Sequence, residues 1–292
     1  MSSLIQDLQT RQNTLQEFSD LTLRILKYLP NIVTDNIPSR GYVIYRSTSA
    51  GTTKLSRPIK DELYIRKPVR FESSYKEYLK ILKNAAHGKK KFTEDDHRLI
   101  NSVTYTIQQS IGVGLDFLSN PNSARKHIGN RFEELIRLIV SEIGIRNKKV
   151  VLKIPYGEGH TYSAETDLIF SPFESVRSDN SKLDPKEVVV SLKTSSKDRM
   201  GKIFIDKLLM QRFVQHDVKV IGIFLNDVQR KEEGGISFTF VSGLFMVYAK
   251  FLTKLEGIYF IDPPQGVLEK PYSEFIASFS KFVLEDAKKL IS

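Results

Sequence analysis

The amino-acid sequence predicts an α/β protein whose core is a mixed β-sheet flanked by helices. Two observations predict this class. Residues 124–292 begin with helical spacing of apolar residues, continue with three strand-like segments, and then alternate between helix and strand, an order that produces a mixed sheet. One of those segments, Glu187–Thr194, is rich in β-branched residues, which favour the pleated surface of a strand.

The first third of the chain is predicted to be mainly helical. Apolar residues recur at steps of three, four or seven over residues 4–29, and Pro30 ends that pattern. A shorter helix is predicted at Ser73–Leu82. Thr93 is followed by three acidic residues, which are favourable in a first helical turn, so another helix is predicted from there to about Leu118.

The region between these helices has a different composition. Residues 31–70 are rich in Ser, Thr, Pro and Arg and are predicted to be irregular, apart from a short strand at Gly41–Tyr45. Ser119–Ser123 has the composition of a linker. We therefore divide the chain into a mainly helical N-terminal region, residues 1–118, and a second domain, residues 119–292.

The second domain contains the elements of the predicted sheet. The helices are predicted at residues 124–143, Gly201–Gln215, Leu244–Leu255 and Ser273–Leu290. The strands are predicted at Val150–Ile154, Tyr162–Phe170, Glu187–Thr194, Val218–Leu225, Ile236–Val241 and Ile258–Ile261.

The composition excludes several classes of protein. With 40% apolar and 27% charged residues, the chain is too apolar to be disordered. No run approaches roughly 18 uncharged apolar residues, so no membrane span is expected. The sequence contains no cysteine, which excludes disulfides and thiolate metal sites and makes the cytoplasm the expected location. The net charge of +10 favours a polyanionic partner such as nucleic acid.

Residues capable of chemistry gather at the predicted ends of two neighbouring strands. Side chains alternate along a strand, so the even-numbered residues of Glu187–Thr194 share an apolar face, while Ser191 and Lys193 emerge together on the other face. Asp167 lies on the preceding strand. A carboxylate and a lysine at adjacent strand ends suit phosphodiester hydrolysis: the carboxylate holds Mg²⁺, the ion activates a bound water, and the ammonium stabilises charge on the phosphate.

A magnesium site usually needs a second acid, and two are candidates. Asp206 lies on the helix after the strand, thirteen residues beyond Lys193. Glu133 lies on an earlier helix, where it borders the buried stripe, whereas Glu134 points away from that stripe and is expected to face water. Each acid alone has an ordinary structural interpretation, as a solvated position or an ion-pair partner. Their joint order along the chain favours a site.

The stretch Ser191–Met200, SLKTSSKDRM, resembles a segment of a known nuclease family. It is similar to the SxKTx…(R/K)(D/E)R segment of type II restriction endonucleases that read CCGG, CCNGG or CCWGG, which belong to the PD-(D/E)xK superfamily. The resemblance covers roughly residues 124–260. It implies a restriction-endonuclease-like core with a central mixed sheet flanked by helices.

The resemblance also implies roles for individual residues. It makes Asp167 the central metal ligand and Lys193, in the same SxK motif as Ser191, the catalytic lysine. It makes Asp206 a second metal ligand, namely the acid displaced to the following helix, and Glu133 the accessory acid.

The same resemblance implies that Lys197, Asp198 and Arg199 read bases. Arg or Lys donates hydrogen bonds to O6 and N7 of guanine in the major groove, and Asp accepts one from N4 of cytosine. Such a triplet therefore suits neighbouring G·C pairs.

The resemblance thus implies a type II restriction endonuclease that uses Mg²⁺ to cut double-stranded DNA at a short palindrome with a CC…GG core. A homodimer or higher homo-oligomer is expected, because two-fold symmetric DNA matches a two-fold symmetric protein. Residues 1–118 are expected to provide dimer or DNA contacts. Two alternatives stay open: a structure-specific repair or junction-resolving nuclease of the same superfamily, and a non-catalytic DNA-binding protein that keeps the fold.

Overall fold

A six-stranded mixed β-sheet lies at the centre of the molecule. This computed structural model describes residues 3–49, 51–197, 199–231 and 234–292. In spatial order, the strands of the sheet are β14 (Ile276–Ser278), β13 (Gly257–Phe260), β10 (Lys219–Phe224), β9 (Val188–Lys193), β8 (Leu168–Ser171) and β5 (Arg146–Lys148). The first four run parallel, whereas β8 and β5 are antiparallel to their neighbours. The predicted mixed sheet is therefore confirmed.

Helices cover both faces of this sheet. In chain order they are α1 (Leu4–Gln9), α2 (Leu15–Ile32), α3 (Pro68–Ala86), α4 (Glu94–Leu118), α5 (Pro121–Glu142), α6 (Met200–Val214), α7 (Ser242–Phe251), and a C-terminal segment of α8 (Phe279–Lys281), a π-helical turn (Phe282–Asp286) and α9 (Ala287–Leu290). One hydrophobic core joins the sheet to α1–α5 and the C-terminal segment, and a second joins it to α6 and α7. No helix in the described part of the chain is long and apolar enough to cross a membrane.

Strand β9 contributes to both cores. Its even-numbered residues point into the first core; they are Val188, Val190 and Leu192. Val189 points into the second core. Ser191 and Lys193 follow on that second side and are only partly buried, because the sheet ends there. The predicted apolar face of this strand and its polar end are both confirmed.

The N-terminal helices differ from the prediction. The single helix expected over residues 4–29 is two helices, because Thr10 ends α1 with extended backbone and Thr14 begins α2 by accepting a hydrogen bond from the backbone N–H of Glu17 at 3.1 Å. Helix α2 also continues beyond Pro30 to Ile32, since a proline in the last exposed turn interrupts little of the helix.

The segment expected to be irregular forms a small antiparallel sheet. Its strands are β1 (Asp35–Ser39), β2 (Tyr42–Ser49), β3 (Thr52–Leu55) and β4 (Ile59–Lys60). Arg40 and Gly41 both have positive φ and form the two-residue turn between β1 and β2, the geometry favoured in tight hairpins. Composition concealed these strands, because Ser, Thr and Arg are tolerated on exposed strand faces.

The segment expected to be a linker is instead a tight connection between α4 and α5. Thr93 begins α4 through a capping box with Asp96, with hydrogen bonds of 3.1 and 2.9 Å, which confirms this predicted start. Within Ser119–Ser123, Asn120 caps α5 by accepting from the N–H of Ser123 at 2.9 Å. Side chains of α4 and α5 share the first core, and the separate role of residues 1–118 stays a prediction.

The remaining elements are short. They are β6 (Val151–Gly157), β7 (His160–Glu165), β11 (Val228–Arg230), β12 (Ile236–Phe238) and a 3₁₀ turn (Tyr272–Glu274). The helix expected over Ser273–Leu290 begins only at Phe279, because β14 pairs with β13 and Ser278 then caps the helix by accepting from the N–H of Lys281.

A buried acid joins the small N-terminal sheet to the central one. Asp262 follows β13, is 2% exposed, and accepts a hydrogen bond from the hydroxyl of Tyr42 at 2.8 Å. Burial raises the pKa of Asp262 from 3.8 to about 6, while the Tyr42 hydrogen bond and the nearby Lys60 charge oppose the increase. The folded state therefore holds this proton more tightly than the unfolded state.

We expect Asp262→Asn to reduce the pH dependence of stability. Because the pKa is raised in the folded state, this carboxyl makes the free energy of unfolding fall as pH rises from about 4 to 6, by roughly 3 kcal/mol. Urea denaturation across this range should show a smaller fall for the variant than for the wild type. Asp35→Asn, at a side chain that is 56% exposed, is the control. An identical pH profile for Asp262→Asn and the wild type would contradict the assignment.

Candidate active site

Asp167 and Lys193 meet at the ends of two neighbouring strands. Strands β8 and β9 are antiparallel and pair Leu168 with Val190, so Asp167 lies beside the last residues of β9. One carboxylate oxygen of Asp167 accepts a hydrogen bond from the backbone N–H of Leu192 at 2.7 Å and forms an ion pair with the Lys193 ammonium. The two charged side chains are 15% and 21% exposed, so their interaction is only partly screened by water.

The strand expected over Tyr162–Phe170 is broken beside Asp167. Residues up to Glu165 belong to β7, which pairs with β6, and residues from Leu168 belong to β8 in the central sheet. Thr166 fixes the break, because its hydroxyl bonds to both the N–H and the carbonyl of Val150. The break leaves the Asp167 carboxylate just before the start of β8, beside Leu192 and Lys193 at the end of β9.

A cleft of about 110 Å³ lies between β7, β9 and α6. Asp167, Ser191 and Lys193 line it from the sheet, and Asp206 lines it from α6. The Asp206 side chain is 40% exposed and accepts hydrogen bonds from the Lys202 ammonium at 2.7 and 2.6 Å. The structure thus brings four of the five residues expected to be catalytic to one cleft.

Glu133, the fifth, lies on α5 and interacts electrostatically with Asp167. Burial raises the pKa of Glu133 and the negative charge of Asp167 raises it further, while Lys149 and Lys193 oppose the increase. Glu133 is therefore protonated more readily than an exposed glutamate. Lys149 lies 3.7 Å from the carboxylate of Glu133 and 3.4 Å from that of Glu165.

Glu134 does not face water, which corrects the prediction. Its side chain is 14% exposed and forms a 2.7 Å ion pair with Arg131, whose side chain is 4% exposed. Glu134 also accepts a hydrogen bond from the N–H of Gln12 at 3.1 Å. Glu134 is covered because the segment joining α1 to α2 packs on this face of α5, a contact that nothing in the local sequence indicates.

Lys149 and Lys202 are charged groups of the site that the sequence reasoning missed. Partial burial would lower the pKa of Lys149, but the carboxylates of Glu133 and Glu165 outweigh that effect and raise it. Lys202 was detectable, because it precedes Asp206 by four residues, the spacing of an ion pair on a helix. Lys149 has no such local signal.

The cleft offers carboxylates to a metal ion. In the described residues, no three His, Asp or Glu side chains converge into a ready metal site. Mg²⁺, however, is commonly bound by one or two carboxylates together with substrate phosphate oxygens. Asp167 and Asp206 each hold an ammonium group on the wall of one cleft. These donors fit a hard cation whose other ligands come from a phosphate and water.

Two of the three expected base-reading residues, Lys197 and Arg199, lie just before α6 begins. Arg199 is exposed and precedes the first turn of α6. Lys197 is exposed and lines a groove of about 490 Å³ together with Arg125 and Arg230. Asp198 lies outside the described residues. The groove carries positive charge next to the candidate active site, as a polyanion requires.

The architecture defines the class to which the fold belongs, the restriction-endonuclease-like fold. The solved structure of the Type IIP restriction endonuclease Kpn2I matches 95% of this chain and 91% of its own, with a TM-score of 0.68 and 18% sequence identity. The complex of restriction endonuclease PspGI with substrate DNA matches 76% of this chain and 92% of its own, with a TM-score of 0.44 and 12% identity. No protein-family model and no curated protein matches the chain.

Proposed function

We propose that this protein is a type II restriction endonuclease that hydrolyses double-stranded DNA with Mg²⁺ at a short palindrome containing a CC…GG core. The observation that carries the proposal is the Asp167–Lys193 pair at the ends of adjacent strands, on a cleft shared with Asp206. The fold that surrounds this cleft is shared with a Type IIP restriction endonuclease. We expect the protein to act in the cytoplasm as a homodimer or higher homo-oligomer.

Each residue of the site has a proposed task. Asp167 and Asp206 hold Mg²⁺, which when bound neutralises phosphate charge and lowers the pKa of a water. Lys193 has its ammonium beside Asp167, where it can donate to a phosphate oxygen as negative charge develops. Ser191 lines the same wall and offers a hydroxyl. Glu133 is disposed to hold a proton near Asp167, because its pKa is raised.

Sequence reading is proposed for Lys197, Asp198 and Arg199. The two basic residues would donate to guanine, and the carboxylate would accept from cytosine. Since α6 carries both Arg199 at its start and Asp206 within it, contact with the correct bases positions the helix that bears a metal ligand.

Digestion of a fully sequenced plasmid with Mg²⁺ tests the proposal. Mapping of the fragment ends should give cuts at one short palindrome with a CC…GG core. Cutting of flaps or four-way junctions without sequence preference would favour the structure-specific nuclease instead. Absence of cleavage with both Mg²⁺ and Mn²⁺ on varied DNA would favour the non-catalytic DNA-binding protein.

We expect Asp206→Asn to abolish cleavage and preserve binding to the cognate duplex. Loss of one of two carboxylate ligands weakens binding of the metal ion, so the single-turnover rate of cleavage should fall by about 100-fold or more. Asp217→Asn is a matched control, because Asp217 lies just beyond the C-terminal end of α6 and is exposed. A wild-type cleavage rate for Asp206→Asn would remove this residue from the site.

Arg199→Ala should instead lose specific binding. Loss of a bidentate contact to guanine costs about 1–3 kcal/mol, so affinity for the cognate site should fall by about 10-fold or more relative to unrelated DNA. Arg212→Ala, near the other end of α6, is the control. Competition gel shifts measure the ratio. If Arg199→Ala cuts the usual site at the wild-type rate, the base-reading assignment is wrong.

A further inference from the structure

Helix α6 buries a lysine within its apolar face. The buried residues of this helix, which the structure describes in full, are Met200, Ile203, Phe204, Lys207 and Met210. Their spacing of three and four residues is that of a single helical face packed on a core. Lys207 is 2% exposed and stands where this pattern favours an apolar side chain.

Three hydrogen bonds satisfy the buried ammonium of Lys207. It donates to the carbonyl of Lys254 at 2.7 Å and to the two carboxylate oxygens of Glu256 at 3.0 and 3.2 Å, which uses the three donors of an ammonium group. The Glu256 carboxylate also accepts a hydrogen bond from the backbone N–H of Val220, a residue of β10. The pair of Lys207 and Glu256 therefore ties α6 directly to the central sheet.

Stability alone does not explain this buried ion pair. Replacement of such a pair by apolar side chains of similar volume is often neutral or stabilising. The pair contributes direction instead, because apolar burial is non-directional, whereas charge-assisted hydrogen bonds act at defined distances and angles. It therefore restricts rotation of α6 about its axis more than the surrounding apolar contacts do.

The position of Asp206 depends on this rotation. Asp206 precedes Lys207 in the chain, and successive side chains of a helix point about 100° apart. With Lys207 held on the sheet, Asp206 faces the cleft that it lines. The ammonium that bonds to Asp206 belongs to Lys202 on the same helix, so this contact turns with α6 and does not fix its orientation.

We propose that Lys207 and Glu256 are positioning residues, which set the rotation of α6 and thereby hold the Asp206 carboxylate in the cleft. The inference rests on the proposed function, in which Asp206 is a metal ligand. Lys207 and Glu256 then support a metal ligand without binding the metal themselves. Loss of such support commonly weakens a metal site by about 10- to 100-fold.

Crosslinking within one chain measures the position of residue 206 without DNA or metal. The chain has no cysteine, so Ser191→Cys/Asp206→Cys carries two thiols on the walls of one cleft, which a short bismaleimide should join. Adding Lys207→Met should lower the rate of crosslinking by about 10-fold or more, because a misplacement of about 1 Å can cost that factor.

Lys76→Met is the matched control for the crosslinking experiment. It removes a 71% exposed lysine that pairs with Glu72 on α3, so it should leave the rate of crosslinking unchanged. Absence of crosslinking in Ser191→Cys/Asp206→Cys, or an unchanged rate when Lys207→Met is added, would overturn the proposal.

Calorimetric titration of Ca²⁺ into the protein bound to its cognate duplex is the second test, since Ca²⁺ prefers the same oxygen ligands as Mg²⁺. Lys207→Met should weaken Ca²⁺ binding by about 10-fold. Lys207→Met combined with Asp206→Asn should bind Ca²⁺ no more weakly than Asp206→Asn alone, because Lys207 acts through Asp206. Losses that add in the combined variant would indicate a merely structural role and would overturn the proposal.

A double variant covers the case in which Lys207→Met fails to fold. Lys207→Met/Glu256→Gln leaves no unpaired charge, and the glutamine oxygen can still accept from the N–H of Val220. It should crosslink as slowly as expected for Lys207→Met, and crosslinking at the control rate would overturn the proposal. The expected crosslinking results in a protein that never cuts DNA would contradict the proposed function alone. DNA cutting by a protein whose crosslinking is insensitive to Lys207→Met would contradict the positioning role alone.

Discussion

Lys193→Met should lower the single-turnover rate of DNA cleavage by about 100- to 1000-fold while leaving affinity for the cognate duplex nearly unchanged. The ammonium of Lys193 is the partly buried positive charge that lies against Asp167 at the candidate site. Removal of one preorganised donor to a developing charge costs about this factor in other enzymes. Methionine keeps the length and apolar character of the stem, so packing of β9 should survive.

Lys153→Met is the control for this substitution. Lys153 lies on β6, is exposed, and donates to the hydroxyl of Ser163 at 2.7 Å. It contributes to the overall positive charge without lining the cleft. Cleavage and gel-shift assays should therefore show a near-wild-type enzyme for Lys153→Met. Cleavage by Lys193→Met at the rate of this control would remove Lys193 from the chemistry.

Substitutions of the neighbouring glutamates should affect different properties: stability for Glu134 and DNA cleavage for Glu133. Glu134→Ala leaves the Arg131 guanidinium, whose side chain is 4% exposed, without its carboxylate partner. Breaking a buried pair in this way costs about 3–5 kcal/mol. Glu134→Ala also releases the hydrogen bond to Gln12 between α1 and α2. We therefore expect a large loss of stability, measured by urea denaturation.

Glu133→Gln should leave the free energy of unfolding close to that of the wild type. The rate of DNA cleavage should fall. The Glu133 partner Lys149 is 47% exposed at the side chain and can return to water, so the ion pair contributes little to folding. The amide of glutamine cannot take up or release the proton that Glu133 holds near Asp167. Loss of stability in Glu133→Gln with none in Glu134→Ala would show that the two roles have been exchanged.

The parts of the fold that the sequence predicts are those set by local interactions. The capping box at Thr93 depends on residues three positions apart, and the β-branched run of β9 determines a strand wherever it is buried. Alternation along β9 likewise separates Ser191 and Lys193 from the core. Those features need no knowledge of the rest of the chain.

The features that the sequence does not predict depend on contacts between distant segments. The break beside Asp167 is fixed by Thr166 bonding to Val150, sixteen residues away. Glu134 is covered by Gln12, 122 residues away. Neither partner is visible in a local pattern of apolar and polar residues. Sequence periodicity therefore indicated which residues could form a site, and the tertiary contacts determined which of them meet.

The proposed role of Asp167 as a metal ligand is tested by cleavage of one defined DNA by the wild type and by Asp167→Asn over a series of Mg²⁺ concentrations. The wild type should cut both strands at one palindrome as Mg²⁺ is added. Asp167→Asn should bind the same DNA but leave it intact at every Mg²⁺ concentration. Cutting by Asp167→Asn with the rate and metal dependence of the wild type would show that Asp167 does not hold the metal.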